Sequence, residues 1–400
     1  MYNGIKDKIA VRTVLGVNLN IFLLGLTSLF TDWSSEMIGA ILPLFILSIG
    51  GNIIVIGLIE GISNATSNIL KGVSGILADT RKLETNRKGI VAAGYSISNL
   101  SKPLIGLFPN WLVTLGLKFT DRIGKGVRTS PRDAMIADYE DKNRGKSFGI
   151  HRALDTMGAI FGPLTASILL FLGLTYNIII IVSIIPGVIA ISILLFVKET
   201  KKLVKDQKEA GQKPTKKFLK MMIVLGVIEF ASIDLAFIIV RASDFVLPAF
   251  IPLMIVATNI LYVIFAIVAG DLSDKIGRKK MIVAGLIILL SISIMLIFNY
   301  PINFFSIMLI TIIFIMFGIY MGVVDPVSRA YVADLSGKKK KGTAYGIYYL
   351  FIGLISMPES ILFGFFYETF SYTFAFTFSS ILLVICIIIF LFQDFRIEKE

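Results

Sequence analysis

The sequence predicts an all-α membrane protein of twelve transmembrane helices, built as two six-helix halves related by a pseudo-two-fold axis. Three observations carry that expectation. The 400 residues are 56% apolar with mean hydropathy +0.83, too apolar for a water-soluble fold around one core. They divide into about twelve apolar segments long enough to cross a bilayer, where backbone groups must be satisfied internally and helices do this. The halves also repeat. Gly75-Ile-Leu-Ala-Asp79 recurs as Gly270-Asp-Leu-Ser-Asp274, Ala137-Asp138 as Ala333-Asp334, and Gly145 and Gly149 as Gly342 and Gly346. The order is kept and the offset drifts by only two residues. Parallel repeats with a solute site at their interface are one known transporter plan.

The chain divides into a first bundle over 1–197, a hydrophilic linker over 198–220 and a second bundle over 221–400. The linker carries nine lysines and reads as a solvated segment beside anionic headgroups. No cleaved leader is expected, and the first segment reads as a retained anchor. The formal charge of +12 is placed in loops. Lys6, Lys8 and Arg12 precede segment 1; Arg81, Lys82, Arg87 and Lys88 follow segment 2; Lys142, Arg144 and Lys146 follow segment 4. Lys275, Arg278, Lys279 and Lys280 follow segment 8, Lys338 to Lys341 follow segment 10, and Arg396 and Lys399 end the chain. The alternate turns carry one basic residue among them, Arg241. Short basic loops stay in the cytoplasm, so both termini are expected there, in a multi-pass protein of the cell membrane. This distribution describes a bilayer partner and not a nucleic-acid footprint.

Segment 1 carries Asp32 and Glu36 one turn apart. Two carboxyls in a low-dielectric interior can share a proton, which suits proton coupling; permanent pairing with nearby bases is the structural alternative. Segment 2 places Glu60, Asn64, Ser67 and Lys71 on one face. Segment 4, Pro109 to Asp138, holds the densest charge. Asp121, Lys125, Arg128 and Arg132 fall within an arc of about 60° and run along roughly 16 Å of helix. Each such charge at mid-bilayer costs about 2.5–3.5 kcal/mol, so the stripe is expected to face protein or water and to handle a solute. Segment 5 adds His151, Arg152 and Asp155, within helical reach of one another. The second half contributes fewer charges: Glu229, Asp234, Asp325, Arg329 and Glu359. The one cysteine, Cys386, allows no intrachain disulfide, and no metal site or cofactor is expected. One histidine and no phosphate-cradling loop argue against an enzyme.

These motifs resemble the major facilitator superfamily along nearly the whole chain. Gly270, Leu272, Asp274, Lys275, Gly277, Arg278 and Lys279 match its loop motif after segment 8, while the first copy departs at Thr80. Arg122 and Gly126 match its segment-4 motif, and Gly158, Gly162 and Pro163 its segment-5 glycine motif, with Ala166 and Ser167 replacing the trailing glycines. The resemblance implies a central cavity lined by segments 1, 2, 4, 5, 7, 8, 10 and 11. It implies a conformational latch at the cytoplasmic ends, for which Asp79, Arg81, Arg122, Asp274 and Arg278 are the candidates. Asp32, Glu36, Glu60, Asp121, Lys125, Arg128, Arg132, Arg152 and Asp155 are the candidates for solute binding and coupling. The expected function is secondary active transport of a small organic solute by a monomer. Proton-coupled efflux leads, and uptake or exchange of an organic anion or phosphate-bearing solute is the alternative.

Overall fold

The computed structural model describes residues 13–78, 87–139, 144–199, 216–335 and 341–392. Asp79, Arg81 and most of the linker lie outside the described residues. A two-residue hairpin, Thr13–Val14 with Val17–Asn18, leads into an all-helical bundle. The first half comprises α1 (Leu19–Gly39), α2 (Leu42–Ser48), α3 (Ile53–Ala78), α4 (Arg87–Leu107), α5 (Trp111–Tyr139), α6 (Arg144–Phe171), α7 (Tyr176–Val182) and α8 (Ile184–Leu195). The second comprises α9 (Lys216–Ala231), α10 (Leu235–Ala242), α11 (Ile251–Ile276), α12 (Arg278–Ile297), α13 (Phe304–Leu335), α14 (Lys341–Thr369) and α15 (Tyr372–Phe392). Segment 1 is α1 bent by 42° into α2, segment 6 is α7 with α8, and segment 7 is α9 with α10.

Among the described residues nine spans are long and apolar enough to cross a membrane, ten with the bent first pair. The expected twelve would need α4 and α5 as well, and both fall short of the apolar criterion for a physical reason. α5 alone carries Lys118, Asp121, Arg122, Lys125, Arg128, Arg132, Asp133 and Asp138. The two helices pack against each other at Gly94 and Gly124. A Cβ on Gly124 would stand 2.6 Å from the Gly94 carbonyl oxygen, and one on Gly94 would stand 2.7 Å from that of Gly124. Small residues at such points let backbones approach and bring side-chain polar groups across.

The halves meet along two helix pairs. α3 runs against α14 through glycines on both: a Cβ on Gly57 would meet Ser360 O at 2.3 Å, and one on Gly364 would meet Ile53 O at 2.8 Å. α6 runs against α11, where Ser167 Oγ donates to Ala249 O at 2.6 Å and Asn259 Nδ2 to Ala159 O at 2.7 Å. The ends poor in Lys and Arg are in contact, with Phe171 and Phe250 edge-to-face at 5.0 Å. The basic ends are open on this side. Gly145, Gly149 and Gly270 have nothing within 4 Å of where a side chain would stand, and the Arg152 side chain is 61% exposed.

The repeat seen in sequence performs the same task twice. Arg87, at the start of α4, pairs with Asp138 at the end of α5. Arg278, at the start of α12, pairs with Asp334 at the end of α13 at 3.1 Å.

Candidate functional site

α5 sorts its charges by face. Asp121, 3% exposed, accepts from Ser98 Oγ of α4 at 2.5 Å. Arg128, 2% exposed, lays its guanidinium over the Tyr95 ring of α4 at 4.2 Å. Both therefore tie α5 to α4. Arg132 pairs with Asp133 at 2.8 Å and reaches Ser28 Oγ of α1 at 3.4 Å. Lys118, Arg122 and Lys125 lie on another face, Lys118 acting on Asp234 of the second half and Arg122 and Lys125 on Lys71 of α3. At about 100° per residue this face is rotated roughly 60–70° from that of Asp121, Arg128 and Arg132.

Arg122, a latch candidate by resemblance, stands roughly 16 Å into α5. Its charged neighbours are Asp121, Glu60, Glu36 and Asp32, and its Nε is buried without a hydrogen-bond partner. Its ion pair with Asp121 is long, 3.8 Å. Lys118, absent from the sequence-based candidates, shares this environment with Arg122, Glu60 and Glu36. Lys71 of α3 completes the group, 5.6 Å over the Tyr349 ring of α14 and close to Lys125 and Arg122. Lys71, Lys118, Arg122 and Lys125 thus form a group of bases, with Glu36 and Glu60 acting on Lys118 and Arg122, beside the α3/α14 contact between the halves.

Asp32 lies beside this cluster but leans away from it, its carboxyl within hydrogen-bonding reach of Asp155 on α6. A hydrogen bond between two carboxyls needs a proton between them. Asp155 also accepts from Ser28 Oγ at 2.5 Å and Arg152 at 3.1 Å. Arg152 extends to the Tyr262 hydroxyl of α11 at 3.5 Å, and that hydroxyl lies 3.4 Å from Asp325. Asp325 pairs with Arg329 one turn on, at 2.7 Å. A polar chain thus runs from α1 through α6 and α11 to α13, across the two halves. The Asp32/Asp155 approach is a product of the close packing of α1 on α6: Cβ atoms on Gly158 and Gly162 would stand 2.2 Å from Leu29 O and 2.7 Å from Trp33 O.

Lys102 belongs to α4, the third segment, which is not among those the resemblance places around the cavity. It turns inward, 2% exposed, and donates to Ser35 Oγ at 2.8 Å and Asn99 Oδ1 at 2.9 Å. His151 of α6 is buried, and its Nε2 has no hydrogen-bond partner. In the second half Asp274 and Arg278 pair at 2.5 Å, and Arg278 also holds Asp334, so these latch candidates bind within their own half in this conformation. No group of three His, Cys, Asp or Glu side chains placed to hold a metal ion occurs among the described residues.

The profile of the major facilitator superfamily matches residues 24–254 and 222–399. The chain belongs to the major facilitator superfamily. An MFS-type transporter of Methanocaldococcus jannaschii is 37% identical over 361 residues, covering 87% of this chain and 88% of the relative. The nucleoside transporter NupG superposes with a TM-score of 0.75 at 13% identity, over 93% of this chain and 98% of that structure. A bacterial homologue of the lysosomal transporter Spinster, solved inward-facing and unoccupied, gives 0.73 at 13% identity over 93% and 95%. The chain is accordingly a multi-pass membrane transporter and not an enzyme. At these identities the two structures speak for the fold, and the chemistry of the site has to be read from its own residues.

Proposed function

We propose that this chain is a proton-coupled secondary transporter that exports a small organic solute carrying an anionic group. The carrying observation is the basic cluster of Lys71, Lys118, Arg122 and Lys125 at the interface of the halves. A guanidinium whose buried Nε makes no hydrogen bond and only a long ion pair to Asp121, beside two ammonium groups, favours a carboxylate or phosphate, which would form charge-assisted hydrogen bonds there. Glu36 and Glu60 keep the bases from binding that group irreversibly. In this reading α4 and α5 are also membrane spans, the basic ends are cytoplasmic and the conformation is open toward the cytoplasm.

Proton coupling rests on Asp32 and Asp155. Losing the shared proton leaves two negative charges in contact, which Arg132 and Arg152 can offset only by shifting toward Asp155. Because Arg152 also reaches Tyr262 across the interface, protonation is linked to the contact between halves. Export is the direction the resemblance favours: Gly158, Gly162 and Pro163 match the first part of a segment-5 glycine motif typical of exporters, with Ala166 and Ser167 in place of its trailing glycines, and Gly158 and Gly162 make the close helix approach.

A thermal-shift panel on purified protein tests the solute class. Organic anions and sugar phosphates should raise the melting temperature, corresponding to about 2.7 kcal/mol at one hundred times the dissociation constant. Arg122→Ala should remove the effect. Stabilisation by lipophilic cations alone would reject the anionic reading. Proteoliposomes loaded with the stabilising ligand should then release it when the pH gradient is imposed, and indifference to the gradient would reject proton coupling.

A further inference from the structure

The break in segment 7 builds a second polar site, in the other half of the molecule. α9 ends at Ala231 and α10 begins at Leu235, leaving Ser232, Ile233 and Asp234 as the link. Glu359 of α14 is 7% exposed, and its Oε1 is buried without a hydrogen-bond partner. Its Oε2 accepts from Ser360 Oγ at 2.7 Å. Glu359 lines a small pocket with Ser232, Ser379, Phe230, Phe363 and Phe378. The centre of a water-sized sphere has about 10 Å³ of free space there, which is room for one small ion or one water.

The hydroxyl protons around this pocket are committed elsewhere. Ser232 Oγ donates to Ile228 O at 3.0 Å, and Ser379 Oγ donates to Ala231 O at 2.6 Å. With the Ser232 proton so used, the Tyr320 hydroxyl 3.2 Å away is the donor of that pair. Both serines line the pocket and each keeps at least one uncommitted lone pair, and Glu359 adds a carboxylate oxygen. The charged groups that act on Glu359 are Asp234 and Glu229 of segment 7, both acidic, so neither neutralises it. α15 contributes Ser379 and Phe378 to the lining, and neither titrates. A carboxylate left bare in such surroundings is strongly unfavourable. Oxygen-only ligation with one negative charge suits a hard, monovalent cation.

We infer that this pocket binds one small monovalent cation of the Na⁺ class, with Glu359 Oε1 as the anionic ligand and the Ser232 and Ser379 oxygens as neutral ligands. It is separate from the Asp32/Asp155 pair and needs no solute. It also touches the switch between states. Asp234, two residues from Ser232, accepts from Asn64 Nδ2 of the first half at 2.9 Å, so filling the pocket steadies the segment that carries this cross-half bond.

The test uses the full chain in detergent at constant ionic strength, exchanging sodium chloride for choline or potassium chloride. Sodium should raise the melting temperature saturably, and potassium should do so much less. In parallel, dicyclohexylcarbodiimide labelling at Glu359 is followed by mass spectrometry. Sodium at ten times its dissociation constant should slow that labelling about tenfold. Both effects should vanish in Glu359→Gln, while Ser379→Ala should retain them at higher half-saturation, which covers a failure of the first variant to fold. Labelling that follows pH and ignores sodium would overturn the proposal in favour of a plain protonated carboxyl. Absence of both responses in the wild-type chain would overturn it as well. A sodium response that persists while no anion stabilises the protein would reject the solute reading and leave this site standing.

Discussion

Replacing Gly57 by Ala should open the protein on the side that is closed here. Gly57 lies about 6 Å into α3 from the end poor in basic residues. An added Cβ would stand 2.3 Å from Ser360 O and 3.4 Å from the Gly364 Cα, and the first contact is backbone. Bringing it to ordinary contact requires α3 and α14 to separate by about 1 Å, and overpacking of this kind costs about 1–3 kcal/mol. Two effects of the same methyl group must be separated. Ala favours the helix over Gly by up to about 1 kcal/mol, but it does so in every folded state. That gain offsets part of the clash in an unfolding measurement and cancels in the equilibrium between folded states. The state with α3 against α14 therefore bears the whole 1–3 kcal/mol, a shift of about 5- to 150-fold away from it. Spin labels at Leu172→Cys and Ile302→Cys, both exposed at this end and on opposite halves, report the separation. Cys386 is buried and is replaced by Ala in that background. A longer distance population should grow in Gly57→Ala. An unchanged distribution in a folded variant would refute the idea that this glycine contact belongs to one state.

Gly158→Ala brings a similar clash, 2.2 Å from Leu29 O, but within one half. It should lower thermal stability by about 1–3 kcal/mol and leave the Leu172/Ile302 distances unchanged. Arg128→Lys keeps the charge yet loses the flat stack on Tyr95, so stability should fall by about 2 kcal/mol while anion affinity holds, as read by thermal shift with and without ligand. Arg122→Ala should do the reverse, weakening an anionic ligand about 10- to 150-fold, the worth of one charge-assisted hydrogen bond, in a normally folded protein. Asp32→Asn should abolish uphill movement driven by a pH gradient while sparing downhill exchange in proteoliposomes; loss of both would assign Asp32 to structure.

Much of the architecture was legible because it depends on patterns that a linear chain displays. Asp138 and Asp334 were matched as repeats, and each holds the arginine that opens the preceding segment, Arg87 and Arg278. The concentration of charge in α5 was equally plain, and so was its inward direction. What periodicity did not provide was the identity of the neighbours around that helix. A stripe drawn through Asp121, Lys125, Arg128 and Arg132 is centred on the wall with α4, and a rotation of under a quarter turn exchanges Arg128 for Arg122 and Lys118 at the interface. Lys102 escaped for the same reason, since a helix placed outside the cavity can still direct a long side chain inward to Ser35 and Asn99. The meeting of Asp32 with Asp155 and the pocket beside Glu359 are contacts between remote residues at helix crossings and breaks, where no local spacing announces them.

The placement of strong and weak interactions bears on how the halves can move. Eight ion pairs each lie within one half: Arg87–Asp138, Arg122–Asp121, Arg132–Asp133 and Arg152–Asp155 in the first, Arg241–Asp244, Arg278–Asp274, Arg278–Asp334 and Arg329–Asp325 in the second. Across the interface the polar contacts are single hydrogen bonds to an amide, a hydroxyl or the backbone. They include Asn64 to Asp234, Arg152 to Tyr262, Asn259 to Ala159 O and Ser167 to Ala249 O. Each is worth about 1 kcal/mol net, somewhat more where a charge takes part, and water can replace the partner as it is withdrawn. A broken ion pair inside the membrane would instead strand a charge at several times that cost. Keeping such pairs inside each half lets the halves rock as rigid bodies. The energy to be overcome then comes from a few replaceable hydrogen bonds and the glycine contacts of α3 with α14, a scale that one solute or one ion can tip.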